Sequence, residues 1–402
     1  MADDSPRRAS ARPEEELELR EILQVEVPQD RVERLKGLTR VDDPNVTPEV
    51  FDYLIRQQAQ AVNIQYARFL AGVQFTEADV DELLVDAIDC HAHGGSDPFE
   101  RLLLEDEIGM DYTRAGMRAM VVKTWYTPSA SRNALVQKYV DRFAAEHGLR
   151  PTLCFGGVVL NYSMGGFNPE AVRKCLGFPG MKYVWMPMVD SYHHRRVVYD
   201  DWSGYGLNFL DENRKVLPVV QDILRIIADH DLVLASGHYP YEDTAVLVEE
   251  ARRLGVNRIE IIHPAHIHSK HTIAQMKEQA ARGARLMLSG LGALAYPLHE
   301  SGPLYAARIV HEVGPENLVY GSDFGQLQNF SHLIAARWMV KQLLTWGCTK
   351  EQIRTVFQET PAKLLGLPWP PRDTPQLPPR PVERPELRPP NDRAGGDQAC
   401  LC

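Results

Sequence analysis

Cysteine is scarce in this sequence, with six residues in 402 and no CxxC pair. That excludes a disulfide framework and a thiolate zinc site. No apolar run is long enough to cross a membrane, since the longest, around Leu286 to Leu298, is short and interrupted by glycine. The first residues, MADDSPRRASARPEEELELREIL, contain no apolar segment of the signal-peptide kind. A protein of the reducing cytoplasm is expected. Concentrated basic charge is missing too: 44 Lys and Arg stand against 54 Asp and Glu, a net charge of -10. Phosphate neutralisation needs clustered cations, so a small-molecule partner is expected rather than nucleic acid or a membrane surface. A homo-oligomer is compatible with the composition.

What is present is a body of ordinary globular composition, 44% hydrophobic and 24% charged. Residues 1–43, with 12 acidic and 8 basic side chains, cannot bury enough apolar area to order themselves and read as a mobile charged leader. Residues 44–84 read as a helical extension. Thr47-Pro48 opens one helix through Phe51, Leu54, Ile55, Val62 and Phe69, and Thr76-Glu77-Ala78-Asp79 caps a second before Val80, Leu83 and Leu84. From Val85 onward, short β-branched or apolar runs end near His93, Lys123, Val159, Met188, His238, His263, Ser289 and Asp323. The mean interval, about 33 residues, is that of a strand, a helix and two loops. Amphipathic helices are expected over Asn133–His147, Leu217–His230, Glu242–Leu254 and Thr272–Arg282. Eight such units over 85–367 predict an α/β protein with a (β/α)8 TIM-like barrel, although a doubly wound open sheet shares the alternation. Ten prolines between Pro368 and Pro390 make residues 368–402 a disordered proline-rich tail, passive or a ligand for another protein.

The chemistry gathers where strands stop. In Asp89-Cys90-His91-Ala92-His93, strict strand alternation puts Asp89, His91 and His93 on one face. HxH alone is a weak metal signal. Two further apolar runs end in His238 and His263, and Leu318-Val319-Tyr320-Gly321-Ser322-Asp323 ends in aspartate. Core histidines have no reason to collect at C-terminal strand ends, which is where barrel active sites lie. His266 and His268 follow His263 closely, but His263 is preferred because it directly ends its run. Lys123 ends the second run, and Arg195 and Arg196 lie in a loop expected over the site. These three are candidate anion ligands, weighed against solvated side chains.

This pattern resembles the amidohydrolase superfamily of metal-dependent barrels. The closing segment, Gly321-Ser322-Asp323 and then Thr360-Pro361-Ala362-Lys363-Leu364-Leu365-Gly366, is similar to that of the branch including aminocarboxymuconate-semialdehyde decarboxylase. The resemblance spans Val85 to Gly366. It implies that His91, His93, His238 and Asp323 hold one divalent transition metal, with His263 as ligand or acid/base. Zinc suits three imidazoles and a carboxylate, and manganese, iron or nickel would also be accepted. The fourth run supplies no bridging lysine or glutamate, as Lys182 lies at its wrong end and only Asp190 is near the right one, which favours a single ion. The expected activity is hydrolysis of an amide, cyclic amide or lactone of a small anionic substrate. Asp323 would take the water proton, His263 would assist the leaving group, and Asp89 would fix a ligand imidazole. Non-oxidative decarboxylation on the same barrel is the alternative, followed by a phosphoesterase and by a degenerate barrel kept as a scaffold.

Overall fold

The computed structural model describes residues 75–266, 268–294 and 302–371. The charged leader, the helix expected from Thr47 and most of the proline-rich segment lie outside the described residues. Eight strands pair in chain order, each parallel to the next: β1 (Ile88–Ala92), β2 (Ala119–Val122), β3 (Leu153–Val159), β4 (Met181–Trp185), β5 (Val233–Ala235), β6 (Arg258–Ile261), β7 (Arg285–Ser289) and β8 (Leu318–Gly321). Just beyond these strands, the Asp323 amide donates to the His91 carbonyl at 2.7 Å and the His93 amide to that of Phe324 at 2.9 Å. These bonds close β8 onto β1. The alternation is therefore that of a (β/α)8 barrel and not of an open sheet.

The helices are α1 (Glu77–Leu84), α2 (Glu105–Arg114), α3 (Asn133–His147), α4 (Pro169–Cys175), α5 (Tyr192–Tyr199), α6 (Pro218–Asp229), α7 (Tyr241–Arg253), α8 (Ile273–Ala281), α9 (Gly290–Leu294), α10 (Pro303–Val313), α11 (His332–Thr345), α12 (Lys350–Arg354) and α13 (Thr360–Leu365). Most wrap the sheet by the rule α6 illustrates. Its Val220, Ile223, Leu224 and Ile227, spaced three and four apart, are fully buried, while Asp222 and Arg225 face water. Each such side chain contributes up to about 1.5–3 kcal/mol. The barrel interior is a separate apolar layer that includes Cys90, Val121, Phe155, Trp185, Ala235, Ile262 and Met287.

Two expected boundaries move. At the front, α1 is capped as its sequence predicts, with Thr76 accepting from the Asp79 amide and Asp79 accepting from the Thr76 amide at 2.6 Å. Its Val80, Leu83 and Leu84 belong to the main core, so the helix is part of the body rather than an appendage. At the back, α13 closes the barrel floor with Ala362, Leu364 and Leu365, and the half-buried Trp369 packs against the same layer. Arg118 also donates to the Pro368 carbonyl at 2.7 Å. The body thus continues past Leu367. Truncation after Leu367 is expected to cost about 2 kcal/mol, or about 4 °C in Tm, whereas truncation after Pro371 leaves Tm within about 1 °C. Equal midpoints for the two truncated proteins would show that Trp369 contributes nothing.

Candidate metal centre

Strand β1 delivers its residues by breaking the regular alternation. Its pairing with β2 shifts register between Asp89 and Ala92. Cys90 consequently lines the interior, and the His91 ring comes 6.4 Å from that of Trp185 in the barrel mouth. Asp89 goes elsewhere than the shared face expected from strict alternation. One of its oxygens accepts from the Tyr112 hydroxyl of α2 at 2.6 Å, and the other from the backbone amides of His91 and Ser322, both at 2.9 Å. It holds the backbone of His91 and of Ser322, next to Asp323, rather than an imidazole ring.

The strand ends carry unusual backbone. Asp323 and His263 are non-glycine residues with φ of 59° and 27°. Such conformations persist only where the surroundings hold them, as the bond from the Asp323 amide to His91 does. Gly237, with φ of 71°, precedes His238, and a Cβ there would lie 2.5 Å from the Pro187 carbonyl oxygen. Gly325 lies so close to the His93 carbonyl that any side chain would clash, with its Cβ at 2.1 Å. Close backbone approach at these points sets the spacing of the imidazoles.

Two groups of donors result among the described residues. His91, His93 and Asp323 can bring one ligand atom each within 4.8 Å of the others. The Asp323 Oδ1 lies 3.2 Å from His93 Nε2 and 3.5 Å from His91 Nε2. His194, His238 and His268 form the second group on the same criterion. His238 groups here with His194 of α5 and His268 of the loop after β6, and no group among the described residues joins it to His91, His93 and Asp323. His263 stands between the groups, its Nε2 3.2 Å from that of His238 and its ring centroid 6.0 Å from that of His91. His266 lies beyond it, at 5.5 Å between centroids.

Burial dominates the electrostatics. It pushes His91, His93, His238 and His263 well below the usual histidine range, with Lys123 and the neighbouring imidazoles adding to the effect. Burial thus favours the neutral form of all four rings, the form that presents a lone pair. Burial raises the Asp323 carboxyl, against the opposing pull of Lys123. It lowers Lys123 to about 8, with Asp323 as the main opposing influence. Among the described residues, neither ring nitrogen of the fully buried His91 has a hydrogen-bond partner, and His263 Nδ1 has none. Buried imidazole nitrogens without partners beside a carboxylate fit a divalent transition metal, which would take up those lone pairs.

The predicted anion ligands divide. Lys123 is buried and aims its ammonium into this space, 5.9 Å from the Trp125 ring centre. The His193–Arg196 segment is not a loop but lies in α5, started by a Ser191 cap. Arg195 there pairs with Asp201 at 2.6 Å and stacks over Tyr205, and Arg196 stacks over Tyr192 and Trp202 near the surface. Asp190 accepts from the Tyr162 amide at 2.8 Å. Sequence reasoning missed Arg101. Its guanidinium is held by Asp97 at 2.5 Å, lies over Trp125, and comes 3.5 Å from His93 Nδ1. The Asp97/Arg101 spacing after HxH was the available signal.

Below the imidazoles, the fully buried Glu260 has its carboxyl raised to about 8 by burial, partly offset by Tyr183 and Lys123. An acid raised in the folded state keeps its proton while the unfolded chain loses its own. Stability therefore falls as pH rises from about 4.5 to about 8. Glu260→Gln is expected to flatten the dependence of Tm on pH over that window and to raise Tm at pH 7.5. Parallel profiles for wild type and variant would show that Glu260 does not titrate there.

The match to a family described as "Family of unknown function (DUF6282)" covers residues 86–287, from just before β1 into β7. The chain belongs to this family. The matched span contains both histidines of the HxH motif, Lys123 and all of the second histidine group, and it stops before Asp323. No curated protein matches the sequence significantly. Solved structures similar to this chain include an amidohydrolase from Pseudomonas aeruginosa, at 13% identity and TM-score 0.49, with 72% of this chain and 98% of that one covered. A lactonase from Listeria monocytogenes is 14% identical at TM-score 0.48, covering 70% and 95%. An amidohydrolase from Burkholderia multivorans with bound zinc is 13% identical at TM-score 0.45, covering 70% and 99%.

Proposed function

We propose that this protein is a metal-dependent hydrolase of the amidohydrolase type, acting on an amide, cyclic amide or lactone of a small anionic substrate. The observation that supports it is the buried triad His91, His93 and Asp323 at the C-terminal mouth of a closed eight-stranded barrel, with neither ring nitrogen of His91 hydrogen-bonded among the described residues. These three residues would hold the metal, with zinc the best match to their chemistry. A divalent ion there supplies a Lewis acid that acidifies water toward pKa about 7 and polarises a carbonyl.

The protein's own groups supply the rest. Asp323, its basicity increased by burial, accepts the proton of the attacking water. His263 is neutral and within reach of the same space, so it stabilises the developing oxyanion or passes a proton to the leaving group. Lys123, and Arg101 beside His93, give the pocket two cationic groups in a setting where water competes poorly. A carboxylate on the substrate is the matching charge. Trp125, which both cations approach, walls that side.

The test is to assay the metal-replete protein against carboxylate-bearing lactones and cyclic amides, before and after chelation. Turnover lost on chelation and restored by zinc or manganese supports the reading. Metal-independent turnover, or carbon dioxide as the product, would replace it. Within this scheme His263→Asn is expected to retain metal while kcat falls about 10²-fold, as for loss of an acid/base group. Concerted loss of metal and activity would instead make His263 a ligand.

A further inference from the structure

The hydrolytic reading uses His91, His93, Asp323 and His263 and leaves His194, His238 and His268 without a task. We infer that these three form a second, separate cation site that takes a divalent transition metal through nitrogen donors alone. All three donors lie outside the strands, His238 three residues past the end of β5. His194 is carried by α5, and His268 by the loop after β6. One nitrogen from each lies within 4.8 Å of the others. His238 Nδ1 and His194 Nδ1 are 2.8 Å apart, and the His238 and His268 rings stack with centroids 4.3 Å apart at an interplanar angle of 10°.

The arrangement is built rather than incidental. Ser191 caps α5 by accepting from the His194 amide at 3.0 Å, and its hydroxyl donates to the His238 carbonyl at 2.6 Å. One buried side chain therefore fixes the helix bearing His194 against the strand end bearing His238. The Gly237 backbone, which tolerates no Cβ, sets the other side of that contact. Polar satisfaction points the same way. Burial lowers all three imidazoles. Among the described residues, His268 Nδ1 has no hydrogen-bond partner. Three converging neutral imidazoles without a carboxylate suit zinc, nickel or copper and disfavour magnesium, calcium or manganese, which need oxygen.

The inference stands apart from the hydrolytic reading, and metal counting separates the two. Protein dialysed against zinc and then against metal-free buffer is expected to hold two zinc ions per chain by elemental analysis. His194→Ala and His268→Asn should each hold one, and so should Asp323→Asn, which keeps the three-histidine site. Replacement with cobalt(II) gives a second readout: His194→Ala should lose about half of the visible d–d absorption. Two ions in both His194→Ala and His268→Asn would overturn the second site. One ion in wild type, kept in His194→Ala and lost in Asp323→Asn, would overturn it while leaving the first site standing. One ion kept in Asp323→Asn and lost in His194→Ala would support the second site and remove the first. Circular dichroism of each chelated variant checks folding, and the His268 variant stands in if the His194 variant does not fold.

Discussion

Asp323→Asn is expected to lower turnover by about 10⁴-fold or more while leaving the metal-free protein as stable as wild type, or slightly more so. The activity loss has two sources in one residue. The carboxylate lies 3.2 Å and 3.5 Å from the two imidazoles of the HxH motif, so its loss weakens the metal set. It is also the nearest base for the attacking water, and general base catalysis alone contributes about 10²–10⁴-fold. The stability expectation runs the other way because burial makes the ionised form costly and holds the carboxyl above its ordinary range. An amide of the same shape carries no such cost. With the metal removed, the variant's Tm should match or exceed that of wild type, and with saturating metal wild type should be the more stable. A variant that unfolds even when chelated would show that Asp323 supports the fold instead of the chemistry. Full turnover would remove it from the mechanism.

That contrast between function and stability explains which parts of the protein were legible in its sequence. Burial periodicity is local, so α3 runs over the predicted Asn133–His147, and α6, α7 and α8 fall within a residue of their predicted limits. The strands were found, with β3 and β7 ending at the expected Val159 and Ser289 and the other six stopping one to three residues short of their expected ends. β5 stops at Ala235, two residues before Gly237, because that glycine's left-handed backbone ends the ladder ahead of His238. The positions of the polar strand ends were equally visible, since hydrophobic runs do not end in histidine by chance. What periodicity could not show was direction. Alternation in β1 implied that Asp89 shares the face of His91, and the register break after Asp89, which leaves Asp89 on Tyr112 and His91 beside Trp185, leaves no mark in a single sequence. Nor could spacing divide the histidines. His194 lies on a short helix with only one fully buried residue, so it read as loop, and its meeting with His238 and His268 depends on a tertiary contact through Ser191.

The register break makes Asp89 the residue on which the site's geometry most depends. Its carboxylate accepts from two backbone amides and a tyrosine hydroxyl, and those amides belong to His91 of β1 and to Ser322 just after β8, where the barrel closes. Asp89→Ala leaves three buried donors without partners, at about 1–3 kcal/mol each, so a destabilisation of at least about 3 kcal/mol and a fall in Tm of about 6 °C or more are expected. Asp89→Asn is the informative companion. Its side-chain oxygen can keep both backbone amides, and only the contact with Tyr112 must rearrange, with the hydroxyl becoming the acceptor of the new amide hydrogen. The asparagine variant should therefore lose about 1 kcal/mol, retain metal at the first site and keep most of its turnover. The alanine variant, assayed below its own Tm, should bind metal more weakly because the His91 and Ser322 backbones are no longer fixed against each other. If asparagine is as damaging as alanine, the negative charge itself matters and Asp89 acts on the metal centre electrostatically. If alanine is harmless, the barrel closes without this carboxylate and the amide bonds from Asp323 and His93 suffice.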